Sequence, residues 1–371
     1  MNMLKLPCAD LVKPVAAASR ACTKGTVAIA EHVLLDVKGD VLHITGCNFN
    51  TLWIRTSVPL EMTNDHWQSV PNAKKLLSVL KALPHDAELT LVQDDTTLTL
   101  RAGKSAFKLL SLNPADVPDE LPRQGEPITF TIDAYKLAQR LSSVAFAAAK
   151  EDVRYYLNGI CLEAENGKIK AIATNGHRLA HSPWLAVNAD LPKSVIIPSD
   201  SVTELLNILN QYPHHVATIT LSDQHVEMNI ANTRIITGLI DGRFPDWKRT
   251  IDENPEREII KLNRLSLLNA LNRMSILANQ HKGVRLTLTH ELTLTVGNEE
   301  AEEGQETVVI ERDNTKEKYM GLNVQLLIEA LRSMSDDTVQ LSIPPESNIP
   351  LHITADTNSD DAYHLISPMR L

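Results

Sequence analysis

Leucine-type side chains recur at i, i+3, i+4 and i+7 in three stretches: PNAKKLLSVLKAL from Pro71, PSDSVTELLNILN from Pro198 and LNVQLLIEALRSM from Leu322. That spacing places one apolar stripe along a helix. The three starts lie 127 and 124 residues apart. A second trio of helical runs follows residues able to cap a helix: Asp10 before LVKPVAAASRA, Asp133 before AYKLAQRLSSVAF and Asn263 before RLSLLNALNRMSI, separated by 123 and 130 residues. A side-chain oxygen at that position accepts from the first free helical N–H groups. Between the helices the period changes to two, in VLHITG, ELTLVQDDTTLTLRAG, GICLEAENGKIKAIATNG, ATITLSDQHVEMNIANTRIITGLI and VRLTLTHELTLTVGN. Such alternation around turns like Glu165-Asn166-Gly167 predicts antiparallel hairpins with one buried face. The pattern therefore predicts an α+β chain of three modules, each a helix, a set of strands, a second helix and a second set of strands. Proline-bearing stretches at 114–127 and 243–256 mark the linkers, giving modules 1–125, 126–253 and 254–371.

At 371 residues the chain is too long for one ordinary core, in keeping with several modules. With 43% apolar and 22% charged residues it has the composition of a globular chain. Cys8, Cys22, Cys47 and Cys161 form no CxxC pair, which argues against a zinc ribbon or a disulfide framework and fits a reducing compartment. No apolar run reaches the ~18 residues of a membrane span, and Asp10, Lys13 and Pro14 interrupt any signal-peptide core. A soluble, cytoplasmic protein is expected. The net charge of −10 counts at first against a polyanion partner. The charges are segregated, however. The spans 10–24, 72–83, 133–150, 199–211, 263–282 and 323–334 hold 13 basic and 5 acidic residues, a net of +8, leaving −18 to the rest. Lys13, Arg20, Lys24, Lys136, Arg140, Lys150, Arg264, Arg273 and Lys282 are thus candidates to face a phosphate backbone, which lysine and arginine attract without reading bases. Six helices per chain, doubled in a dimer, fit a closed arc. Twelve helices at ~9–10 Å spacing make a circle about 35–38 Å across, and its opening of about 25–28 Å admits a hydrated duplex.

Catalytic chemistry is hard to find. No GxxxxGK[ST] loop is present, so ATP hydrolysis is not expected. His177 and His181 stand four apart but lack the glutamate of HExxH, and His214-His215 follows Tyr212-Pro213 in a turn. Asp94-Asp95, Asp336-Asp337 and Asp360-Asp361 read as hairpin tips or loops. No metal, cofactor or catalytic residue is expected. Two other classes compete: a non-ring interaction scaffold on the same modules, and a metal-dependent hydrolase using the histidines.

Four strings carry a specific resemblance: DVRYYLNGICLE (Asp152–Glu163), ATNGHRLA (Ala173–Ala180), LIDGRFPDWKR (Leu239–Arg249) and ISPMRL (Ile366–Leu371). With them the chain resembles the bacterial sliding clamps, the β subunits of the DNA polymerase III holoenzyme. The resemblance is dense over the second and third modules and thin over the first. It implies a head-to-tail homodimeric ring around double-stranded DNA that tethers polymerases and is opened by a separate ATP-driven clamp loader. It also implies a partner-peptide groove between the second and third modules. Its lining would come from Arg154, Tyr156, Leu157, Thr174, Gly176, His177, Arg178 and Leu179, from Pro245, Arg249, Thr250 and Asn323, and from the terminal Ile366, Ser367, Pro368, Met369, Arg370 and Leu371. The apolar members offer a slot, and the arginines with His177 a rim that orients a backbone or carboxylate. Tyr155 joins the DNA-facing set by the same resemblance. For ring closure, the acidic run holding Glu299, Glu300, Glu302 and Glu303 would face Lys74, Lys75 and Lys104 of a partner copy, with Phe107 and Leu109 against Ile276 and Leu277. Ser367 and Thr250 stand where the family has apolar side chains, Asn175 where it has aspartate, and Lys24-Gly25-Thr26-Val27-Ala28-Ile29 lacks the family's proline. These departures fit a diverged or accessory member with a more polar groove.

Overall fold

Each third of the chain repeats one plan: a strand, a helix, three strands, a lone strand, a second helix and three more strands, with the two-residue strand Leu185–Ala186 added in the middle third. The six helices are α1 (Cys8–Ser19), α2 (Ala73–Ala82), α3 (Ala134–Ala145), α4 (Ser199–Leu209), α5 (Arg264–Met274) and α6 (Val324–Ser333). The computed structural model describes residues 2–24, 27–49, 51–61, 66–118, 125–189, 191, 194–251, 256–310, 317–356 and 362–371. Parts of both linkers (119–124 and 252–255), Gly25, Thr26, Asp360 and Asp361 lie outside them.

The strand before each helix pairs with the first strand after the module's other helix. Asn2–Pro7 pairs with Glu88–Asp94, and Glu258–Asn263 with Thr338–Ile343. Conversely, His66–Pro71 pairs with Val33–Lys38, and Lys318–Asn323 with Gly283–Leu288. Each module is thus two interlocked halves, six equivalent halves along the chain. By contacts the chain forms two compact units, Met1–Tyr135 with Thr203–Leu239 and Lys136–Val202 with Ile240–Leu371. The first carries a twelve-stranded sheet from Asn2–Pro7 to Ile128–Asp133, the second a nine-stranded and a four-stranded sheet.

The helical periodicity is realised as apolar stripes. Leu11, Val15 and Ala18 of α1 enter a core with Leu76 and Leu80 of α2, and Leu267, Leu271, Leu327 and Leu331 of α5 and α6 do the same in the second unit. Asn263 and Asn323 cap α5 and α6, accepting from Ser266 N (2.9 Å) and from Gln325 N and Leu326 N (2.9 and 3.2 Å). The predicted hairpin turn also forms: Glu165 pairs with Lys168, and Asn166 and Gly167 take φ of 50° and 69°, as a two-residue primed turn requires.

Four helix limits need correction, one of them the end of α1 at Ser19, which leaves Arg20 and Lys24 outside that helix. α1 begins at Cys8, and Asp10 lies in its first turn rather than at the cap. The first free N–H of α1, on Cys8, is taken by the Ala87 carbonyl at 2.9 Å, and no side chain caps the helix. α3 stops at Ala145 and α5 at Met274, because Ala149 N turns to the Leu157 carbonyl and Asn279 Oδ1 closes a turn on His281 N and Gly283 N. With these limits the helices hold Lys13, Lys74, Lys75, Lys81, Lys136, Arg140, Arg264, Arg273 and Arg332 against Asp10, Asp200, Glu204 and Glu329. The helical excess is +5, not +8.

Candidate groove, basic face and sheet edges

Four separated segments converge in the second unit. The strand Arg178–His181 pairs with Tyr363–Ile366, putting Arg178 opposite Ile366, and Ser367 N continues the pairing to the His177 carbonyl at 2.9 Å. The turn before that strand is held by Asn175, whose Oδ1 accepts from His177 N (2.9 Å) and Arg178 N (3.1 Å). An aspartate would accept the same two bonds, so the Asn175 departure leaves this turn intact. Gly176 has φ of 87°, and a Cβ there would stand 3.0 Å from Arg154 Nη1. The positive φ is what favours glycine here, and the flexible tip of Arg154 packs against it. Leu179 is buried with Cys161, Ile172, Trp247 and Leu365, which carries the 244–251 loop with Pro245 and Arg249 to the same place. Thr250 spends its hydroxyl on the Trp247 carbonyl at 2.6 Å. The polarity of this departure is absorbed locally.

Arg178 is corrected from rim to interior. Its guanidinium pairs with Glu329 of α6, donates to the Phe146 carbonyl and lies 5.0 Å over the Phe146 ring. Burial would raise the Glu329 carboxyl, but hydrogen bonds from Gln325 and Arg178 override it and hold it below its usual range. Leu157 and Ile366 are likewise core, and Asn323 is occupied as the α6 cap. His181 stacks on Tyr363 at 5.2 Å and 9°, and among the described residues no three His, Cys, Asp or Glu side chains gather as a metal site. The terminal residues Pro368–Leu371 wall a cleft of about 570 Å³ with Arg285, Tyr319, Gly321, Ser347 and Asn348. None of these five was anticipated, although glycines within strands signal close approach of another segment.

Asp152 braces the loop ahead of the groove. Its carboxylate accepts from Arg154 N (2.8 Å), Nε (3.0 Å) and Nη2 (2.8 Å), which draws its pKa down to about 2. A depressed carboxyl stabilises the fold above its ordinary pKa and loses that contribution as pH falls through the folded value. Protection of the Arg154 amide from exchange is therefore expected to fall between about pH 4 and pH 2. In Asp152→Asn this step should be absent. A step of the same size in that variant would show that another group governs the loop.

Of the basic candidates, Lys13, Lys24, Lys136, Lys150 and Lys282 are exposed, as is Tyr155. Among the described residues Lys13, Lys24 and Lys282 enter no ion pair. Arg20 instead meets Glu204 at 3.4 Å, and Arg273 is held by both Glu306 oxygens. Arg140 is partly buried, and burial lowers its pKa. Arg264 is corrected outright: its guanidinium donates to the Asp336 (2.6 Å) and Leu331 (3.2 Å) carbonyls at the end of α6, a structural role.

The candidates for ring closure lie at two strands. Ser105–Leu112 pairs with Thr97–Ala102 on one side, but on the other, among the described residues, only Ser111 and Leu112 have partners. Glu303–Val308 is an outer strand of the four-stranded sheet. Lys74, Lys75, Lys104, Glu299, Glu300, Glu302 and Glu303 are exposed and in no ion pair among the described residues. Phe107 is exposed, but Leu109 and Leu277 are corrected, since both pack against their own cores. Besides Phe107, Leu110 (76%), Ile276 (77%) and Val309 (81%) are exposed near these strands. Leu109 and Leu110 are adjacent in sequence, and only the strand register separates inward from outward.

All four cysteines are free, and no helix among the described residues is long and apolar enough to cross a membrane. Comparison with known proteins accounts for the whole plan. Family models of the DNA polymerase III beta subunit match in order: the N-terminal domain over residues 4–122, the central domain over 131–246 and the C-terminal domain over 249–370. The chain is 30% identical over 349 residues to the beta sliding clamp of Pseudomonas putida and 31% identical over 350 residues to that of Proteus mirabilis, with 93% of each chain covered in both cases. The crystal structure of the DNA polymerase III subunit beta from Pseudomonas aeruginosa aligns with a TM-score of 0.93 at 29% identity, over 100% of both chains. With three domains matched in order and near-complete coverage, the chain belongs to the DNA polymerase III beta-subunit family, the bacterial sliding clamps.

Proposed function

We propose that two copies of this protein close head to tail around double-stranded DNA and tether the replicative polymerase and other clamp-binding proteins to it. The observation that carries this reading is the pairing rule among the six half-modules. The last strand of the first module's first half, Leu52–Pro59, pairs with Thr233–Gly238, which ends the second half of the second module. The second module's Arg178–His181 pairs in the same way with the third module's Tyr363–Ile366. Two last strands remain, Glu303–Val308 and Ser105–Leu112. Applied between copies, the rule joins them twice and leaves no open end, as closed two-fold assemblies require. The acidic residues around Glu299–Glu303 and the lysines at 74, 75 and 104 then set the register. Module boundaries near 125 and 253 follow from the same repeat. The protein acts by holding rather than by turnover, in the cytoplasm where the replicating DNA is, and ring opening falls to a separate ATP-driven loader.

The basic lysines give the DNA test. Contacts to phosphate release counterions, and each one lost lowers the salt slope by about 0.9. Changing Lys13, Lys24 and Lys282 together to Glu is expected to cut retention on nicked circular DNA at least about tenfold at ~150 mM salt. Arg20 and Arg273 are left alone because their charges are already paired. Unchanged retention at low salt would overturn the DNA-facing assignment.

A further inference from the structure

We infer that Gly283 and Gly321 form a seat for the C-terminal Leu371, and that this seat sets where the tail stands as a wall of the partner groove; the consequence for binding rests on the groove reading above. The two glycines are on neighbouring strands, with Gly283 opposite Asn323 and Gly321 opposite Arg285. Alternation places both on the face away from the core that buries Val284, Leu286, Met320 and Leu322. Neither has positive φ, so what glycine provides here is space. A Cβ on Gly283 would overlap Leu371 Cδ2, and its next neighbour, Asn279, is at an ordinary 3.7 Å. A Cβ on Gly321 would stand 2.5 Å from the Met369 carbonyl oxygen and 2.7 Å from Leu371 Cγ. Glycine weakens a strand, so two on one face, both beneath the same tail, mark a close approach that needs them.

The grip is light. The tail is held by backbone bonds from Ser367 N to the His177 carbonyl (2.9 Å) and from Met369 N to the Gly321 carbonyl (2.8 Å). Leu371 stays 53% exposed, so it can leave its seat without opening the core. Because Pro368–Leu371 wall the cleft opposite Arg285 and Tyr319, a seated tail gives the cleft its shape and an unseated one releases it. Gly283 and Gly321 are positioning residues for the groove.

Amide exchange resolved to single residues in the full-length protein tests this. Gly283→Ala should preserve the unfolding midpoint, since alanine fits an ordinary strand conformation, yet raise Met369 exchange about tenfold with Ser367 unchanged. Leu371→Ala should do the same. The Gly283→Ala, Leu371→Ala double variant should exchange no faster than either single one, because the colliding atoms are gone. Gly321→Ala should still raise Met369 exchange in the Leu371→Ala background, because it also meets the Met369 carbonyl. Unchanged Met369 exchange in Gly283→Ala, additive effects in the double variant, or Ser367 and Met369 accelerating together would each overturn the seat. The readout uses no partner, so a failed groove reading would leave it untouched.

Discussion

Replacing Leu110 with Asp is expected to bring the solution mass down from twice 41.1 kDa to 41.1 kDa. Leu110 lies on the stretch of Ser105–Leu112 whose outer side carries no strand among the described residues, and it is 76% exposed there. Ile276 and Val309 are the comparable exposed groups near Glu303–Val308. Burying one leucine is worth about 1.5–3 kcal/mol, and a carboxylate in its place adds a desolvation cost. A two-copy ring repeats the contact twice, so the total approaches ~6 kcal/mol, about four decades in dissociation constant. Light scattering at dilute and concentrated protein measures this. A variant that stays at twice the chain mass on dilution would mean these strand edges do not close the ring. A monomeric parent protein would remove the ring altogether and leave a peptide-binding scaffold as the surviving function.

Arg178→Ala is expected to destabilise the fold by about 3 kcal/mol, the lower end for breaking a buried pair because Glu329 remains reachable by water. The substitution strips Glu329 of its counter-charge, leaves the Phe146 carbonyl without its donor and removes the cation from the Phe146 ring. Arg178→Lys should recover little, since one ammonium cannot reach two divergent acceptors as the guanidinium does. Denaturant titration measures both. The pH dependence has a definite sign: with the Glu329 carboxyl lowered, the pair contributes fully above the ordinary glutamate pKa and fades below it. An alanine variant as stable as the parent would return Arg178 to the rim.

The features legible in the sequence are those whose causes lie within a few residues. A helix needs its apolar stripe and a cap, and Asn263 and Asn323 supply caps to N–H groups two or three residues ahead. A two-residue hairpin needs positive φ twice, which Asn166-Gly167 provides. Three repeats of such local signals lead to the expected modules, and strings that resemble those of the sliding clamps point to the family. What only the tertiary structure decided depends on groups far apart in the chain. The Ala87 carbonyl starts α1 two residues before the local cap signal. Glu329 and the Phe146 carbonyl turn Arg178 inward, though its neighbours Gly176 and His177 stay exposed. Strand register against Thr97–Ala102 makes Leu110 rather than Leu109 the outward residue. The seat for Leu371 exists because two strands bring Gly283 and Gly321 side by side and Met369 and Leu371 lie over them. Periodicity reports which residues share a face of their own element, and only packing settles what that face meets.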